Sequence, residues 1–140
     1  MNWVKVSSEA YNQIFSESWT TFHSAKFNEL NKEKVEDVVY LLYNNVNYAL
    51  GICFGIKKNE LKSPFSSPFG GIEYKGSYSE QDYIDGVNEL IHFLKENYQL
   101  SSFQITLPPN CYDNNIELQL QSLIKNDFEI KYTDTNFHLD

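Results

Sequence analysis

The sequence contains no arginine: all eleven of its basic residues are lysine, set against nineteen carboxylates for a formal net charge of -8. Arginine grips phosphate or carboxylate with a planar, two-pronged contact, so any anion site here must be built from lysine, hydroxyls or backbone amides. A negative chain also repels the phosphate backbone, and no lysine-rich run or basic-aromatic interleaving offsets this locally, so no nucleic-acid partner is expected. Cysteine is scarce. Cys53 and Cys111 stand far apart, and in a chain without a signal peptide they read as reduced, small hydrophobic residues. No apolar run approaches the roughly 20 residues that span a bilayer. Met1-Asn2-Trp3-Val4-Lys5 lacks the basic stretch and apolar core of a secretory signal, so a cytoplasmic location with no membrane partner is expected.

Chemical motifs are equally sparse. There is no G-x-S-x-G elbow, P-loop or G-x-G-x-x-G, and Ser66-Ser67 lies between prolines rather than at a strand-to-helix turn. His23, His92 and His138 are scattered, without an H-x-x-x-H pair or a cysteine pair at ligand spacing, so no metal site is expected. The carboxylates are dispersed like a solvated acidic surface, not paired across one bond as in a glycosidase.

What the chain does have is aromatic residues, with ten Tyr and ten Phe. That content is too high for a chain that stays disordered, and 140 residues suit a single domain spanning 1–140 with a sizeable core. Trp3-Val4-Lys5-Val6 reads as a strand, followed by Ser7 or Ser8 capping a helix that carries Tyr11, Ile14 and Phe15. Trp19, Phe22, His23, Phe27 and Leu30 recur at helical spacing, placing them on one face of a second helix, and 31–36 is a polar connection. Apolar runs at 38–43 and 48–56, separated by Asn44-Asn45-Val46-Asn47, predict a β-hairpin. Two prolines and two glycines make 62–71 a shaped loop, after which Ile72-Glu73-Tyr74 forms a short strand. Ser79 and Asp82 resemble a capping box ahead of a helix with Tyr83, Val87, Leu90, Ile91 and Leu94 on its inner face. Phe103, Ile105 and Leu107 alternate in a strand stopped by Pro108-Pro109. Ile116, Leu120, Leu123 and Ile124 form a last helical stripe, and Phe128, Ile130 and Tyr132, then Phe137 and Leu139, suggest two closing strands. The order predicts a layered α+β fold, with a mixed, mostly antiparallel central sheet and helices on both faces.

This order, with the loop Leu61-Lys62-Ser63-Pro64-Phe65-Ser66-Ser67-Pro68-Phe69-Gly70-Gly71-Ile72, resembles the GNAT superfamily of N-acyltransferases and in particular the first GNAT-like half of FemAB-type enzymes. The resemblance implies a GNAT-like fold over nearly the whole chain. Family members with activity carry Q/R-x-x-G-x-G/A ahead of the helix that follows the fourth strand, where bare glycines let backbone amides wrap the diphosphate of acyl-coenzyme A. The matching stretch here is Glu73-Tyr74-Lys75-Gly76-Ser77-Tyr78-Ser79, which has one glycine; Lys75, Gly76 and Ser79 are its candidate cofactor-binding residues. The family's L-Y-x-x-x-G-F motif, whose Tyr often serves as general acid, aligns through Phe128, so that Leu123 takes the place of the Tyr and Asp127 that of the Gly. An acid would then have to come from Tyr112.

Glu73 is the carboxylate placed where the family's base stands, and it reads either as that base or as an outward-facing strand residue. In the Pro/Gly loop, Ser66, Ser67, Phe69, Gly70 and Gly71 are candidate substrate-binding residues. They form a preorganised wall, or else a tight crossover whose phenylalanines plug the core. Three functions remain open. The domain is a non-catalytic first half that shapes an acceptor site or docks a second GNAT-like domain, with no cofactor bound by the isolated chain. Alternatively it is a stand-alone N-acetyltransferase using acetyl-CoA or another acyl-CoA with Glu73 as base, or a module that forms homo-oligomers or binds a partner.

Overall fold

The computed structural model describes residues 2–16, 24–44, 46–66, 70–98, 102–107 and 115–125. In chain order these form β1 (Val4–Val6), α1 (Ser8–Ile14), α2 (Ala25–Leu30), a 3-10 turn (Lys32–Lys34), β2 (Asp37–Asn44), β3 (Tyr48–Lys57), β4 (Glu60–Ser63), β5 (Glu73–Gly76), α3 (Glu80–Asn97), β6 (Ser102–Ile105) and α4 (Asn115–Lys125). The architecture is mixed α+β: six strands in one open, mostly antiparallel sheet, with helices on both faces. The expected strands at 128–132 and 137–139 lie outside the described residues.

β3 is the centre of the sheet. It pairs with β2 along eight residue pairs, from Asp37 opposite Ile56 to Asn44 opposite Ala49, and β1 continues the antiparallel order beyond β2. On its other edge β3 is met twice. β4 pairs with Gly55, Ile56 and Lys57, and β5 pairs with Tyr48 to Gly51, so the two short strands share a direction and follow one another along the same edge. β6 then lies parallel to β4, reached through the α3 crossover.

The sides of β3 differ in size. Tyr48, Leu50, Ile52 and Phe54 join Val39, Leu41 and Tyr43 of β2 in the larger core, which is closed by Tyr83, Val87, Leu90, Ile91 and Leu94 of α3 and Leu123 of α4. The opposite face shows Ala49, Gly51, Cys53 and Gly55, small enough for rings to lie on the strand; Tyr11, Phe15 and Tyr40 fill a second core there, with Phe65 packed at its margin. Alternation along a pleated strand makes this segregation possible.

Caps set the helix starts. Ser7 accepts from the Ala10 amide and Ser24 from the Phe27 amide, while Ser79 and Asp82 exchange side-chain and backbone bonds in a full capping box. Trp3, 2 % exposed, fastens β1 to α3 by donating its indole N–H to the Gly86 carbonyl at 2.8 Å.

Three sequence expectations need correction. The loop expected over 62–71 begins later, because Lys62 and Ser63 belong to β4; the turn into that strand, Lys58-Asn59, has φ values of 52° and 62° without a glycine to announce it. Leu30, expected on the inner face of α2, is exposed, and the buried positions are Ala25 and Asn28; Trp19, Phe22 and His23 lie outside the described residues. The inner stripe of α4 is Ile116, Gln119, Ser122 and Leu123, whereas Ile124 is exposed. Polar Gln119 is inside because its carboxamide oxygen accepts the Ile72 N–H at 2.8 Å, a backbone group that lies just ahead of the β5 ladder.

Replacing Trp3 with Phe keeps the ring and removes the donor to Gly86. The expected result is a loss of about 1–3 kcal/mol in urea unfolding, with the slope unchanged.

Candidate active site

Register decides where Glu73 points. It stands opposite Gly51, and Lys75 opposite Ala49, so both carry their side chains to the small-residue face of β3. There Glu73 is 1 % exposed. The reading of Glu73 as an outward-facing residue is therefore overturned. Its Oε2 accepts the hydroxyl proton of Tyr11 at 2.6 Å, a bond spanning 62 residues of sequence.

Tyr11 reaches this carboxylate across the bare surface of Gly51, with the Phe15 ring beside it. A Cβ there would lie 2.5 Å from Phe15 Cε2 and 2.8 Å from both Tyr11 Cε2 and the Tyr11 hydroxyl. The rings of Tyr11 and Phe15 are 5.0 Å apart at their centroids, and Tyr40 is 5.4 Å from Tyr11. Tyr40 donates to Glu29 at 2.9 Å, extending the polar contacts to α2. Lys75 sends its Nζ to the Ile14 carbonyl at 3.1 Å, closing the C-terminal end of α1.

Burial governs the acid-base properties of the face. It pushes the Tyr11 phenol well above the ordinary value, and the charge of Glu73 and the hydrogen bond to it act the same way. The Cys53 thiol is likewise pushed well up, by burial first and then by Glu73 and Glu29. Desolvation also raises Tyr40. A thiol held in its neutral form is a poor nucleophile, which removes Cys53 from that role while the face stays covered.

Among the described residues, the other expected site residues make their hydrogen bonds with groups other than Glu73. Ser66 accepts from Lys34 Nζ at 2.7 Å and donates to Asn31 at 3.3 Å, tying the loop to the turn after α2. Phe65 lies over Gly55, where a Cβ would be 2.6 Å from its own Cβ. Gly70 donates to the Thr106 carbonyl at 2.8 Å and Gly71 to Ser63 Oγ at 3.1 Å, so both glycine amides are used in closing the base of the loop. Ser67, Phe69 and Tyr112 lie outside the described residues.

At the start of α3, Gly76 adopts φ +94°, where a side chain would meet the Asn47 carbonyl. Asp82 Oδ2 accepts the Ser79 N–H at 2.9 Å, and Ser79 Oγ accepts the Asp82 N–H at 3.0 Å. The helix therefore supplies its own anion, with Glu80 beside it in the first turn. Lys75 points to α1 instead. Leu123, aligned with the family's acid, is a core residue at 4 % exposure. Among the described residues no group of three or more His, Cys, Asp or Glu side chains is arranged to hold a metal, and no helix is long and apolar enough to cross a membrane.

No family model, curated protein or solved structure matches the chain. Sequence reasoning singled out Glu73 but missed Tyr11, which carried only the signal of a helix-spaced aromatic.

Tyr11 ties the site to pH. With its phenol raised in the folded state above the ordinary value of 10.0, the native chain holds a proton that the unfolded chain has released above that pH. Its contribution to stability is whole below pH 10 and is lost as pH rises beyond it, at about 1.4 kcal/mol per pH unit for one such group. Urea unfolding at pH 9 and pH 11 is expected to show this decline, and Tyr11→Phe to make it shallower.

Proposed function

We propose that this domain is a GNAT-like, non-catalytic relative of the first half of FemAB-type acyltransferases, which shapes an acceptor site or docks a second domain. Element order and sheet topology support the finer fold: a central hairpin, an interrupted fourth strand represented by β4 and β5, then the α3 crossover to a parallel strand.

The observation that carries the non-catalytic reading is the start of α3. A diphosphate needs free amides and a positive environment. Here Asp82 occupies the Ser79 amide, Glu80 adds a second carboxylate, Gly76 is committed to its turn beside Asn47, and Lys75 is drawn to α1. The residues present do not fit the diphosphate of acyl-coenzyme A.

A buried carboxylate favours one alternative, a stand-alone N-acyltransferase with Glu73 as base. A base must come within hydrogen-bond reach of the amine whose proton it takes. At 1 % exposure, and covered by Tyr11, Glu73 meets that condition only after Tyr11 moves away. The non-catalytic reading needs no such rearrangement.

Calorimetric titration of the full chain with acetyl-coenzyme A is expected to give no saturable heat. A dissociation constant in the micromolar range would overturn the proposal. If transfer to an amine were then detected, its loss in Glu73→Gln would favour the alternative, and its survival would remove Glu73 as base.

A further inference from the structure

The helix that covers Glu73 is held more weakly than the sheet beneath it. α1 has seven residues, too few to persist as a helix in water, and Tyr11 is the one buried side chain within it. The strand leading into it, β1, has three residues and pairs with β2. β3 by contrast is paired along both edges. α1 and its C-cap are joined to their surroundings by the Tyr11 and Phe15 rings on Gly51, by packing against Tyr40 of β2 and Ala25 of α2, by the Tyr11 bond to Glu73 and by the Lys75 bond to the Ile14 carbonyl.

Under that cover lies a floor unlike an ordinary core. It combines the bare backbone of Gly51 with the Glu73 carboxylate, and Cys53 is on the same face at 7 % exposure. Lifting the rings returns a buried carboxylate to water, and its hydration offsets part of the free energy needed to part the rings from the strand. A seven-residue helix that lies outside the backbone ladder of the sheet and has a polar group beneath it is the kind of segment that opens without global unfolding.

We infer that α1 is a lid that opens as a unit, uncovering a glycine-floored groove with Glu73 and Cys53 in it, while β2, β3 and α3 stay folded. Such a lid would operate whether or not the domain is related to acyltransferases. Tyr11 is the inner latch and Lys75 the outer one.

Thiol labelling tests the lid. In a Cys111→Ser background, iodoacetamide modification of Cys53 is followed by mass spectrometry over a range of urea concentrations below the unfolding transition. The expected rate depends on urea with less than about a third of the slope of global unfolding, because little surface is exposed by a local opening. Tyr11→Phe should speed this urea-insensitive labelling about ten-fold or more, as expected for losing a buried hydrogen bond to a carboxylate. Lys75→Ala, at an exposed position, should speed it a few-fold and serves where Tyr11→Phe fails to fold. Labelling with the full slope of global unfolding would overturn the lid, as would a urea-insensitive rate unchanged in these variants.

Discussion

Everything in this fold depends on the unequal faces of β3. Tyr48, Leu50, Ile52 and Phe54 fill one side, and Ala49, Gly51, Cys53 and Gly55 leave the other nearly flat. The bulky side holds α3 at ordinary side-chain distance, through a core of aliphatic and tyrosine contacts. On the flat side the order is reversed: the rings belong to α1 and to the loop after β4, and they rest directly on backbone. This is why a seven-residue helix can be seated at all, and why a tyrosine hydroxyl reaches a carboxylate on the neighbouring strand.

The same asymmetry separates two jobs that the GNAT resemblance would combine. Under the proposal, diphosphate recognition would fall to the start of α3, where carboxylates complete the helix cap. Proton chemistry would fall to the flat face, where Glu73 is covered by aromatic rings. On the proposed reading, neither place carries side chains suited to that chemistry. Arginine is absent throughout, so no distant guanidinium can make up for the acids at the helix start.

Much of the fold was legible because it depends on local rules. The hairpin followed from two apolar runs, and the α3 start followed from Ser79 and Asp82 at capping-box spacing with the inner face given by Tyr83, Val87, Leu90, Ile91 and Leu94. Failures arose where a distant partner decided the matter. Gln119 is buried because an amide on another element needs an acceptor, and an apolar stripe ending at Ile124 was the natural reading without that knowledge. β4 was hidden because its turn uses Lys58-Asn59 in left-handed conformation rather than Asn-Gly. At the site, Glu73 was legible as the carboxylate in the relevant strand, but its burial was not. Facing depends on register, and its hydrogen-bond donor lies in α1.

The interruption between β4 and β5 has a consequence for how this chain can vary. Gly55 faces Lys62, while Gly51, four residues back along β3, faces Glu73, eleven residues further on, so the excursion holds seven residues more than an unbroken ladder would need. Seven is odd, and a pleated strand alternates its sides residue by residue. Odd-numbered positions therefore face α1 after the excursion, whereas even-numbered positions did so before it. A one-residue slip of β5 along β3 would turn Tyr74 toward α1 and drive the Glu73 carboxylate into the core beneath α3. The Tyr11–Glu73 contact therefore rests on the β5–β3 pairing, and the loop between β4 and β5 is free to change in length as far as that pairing is kept.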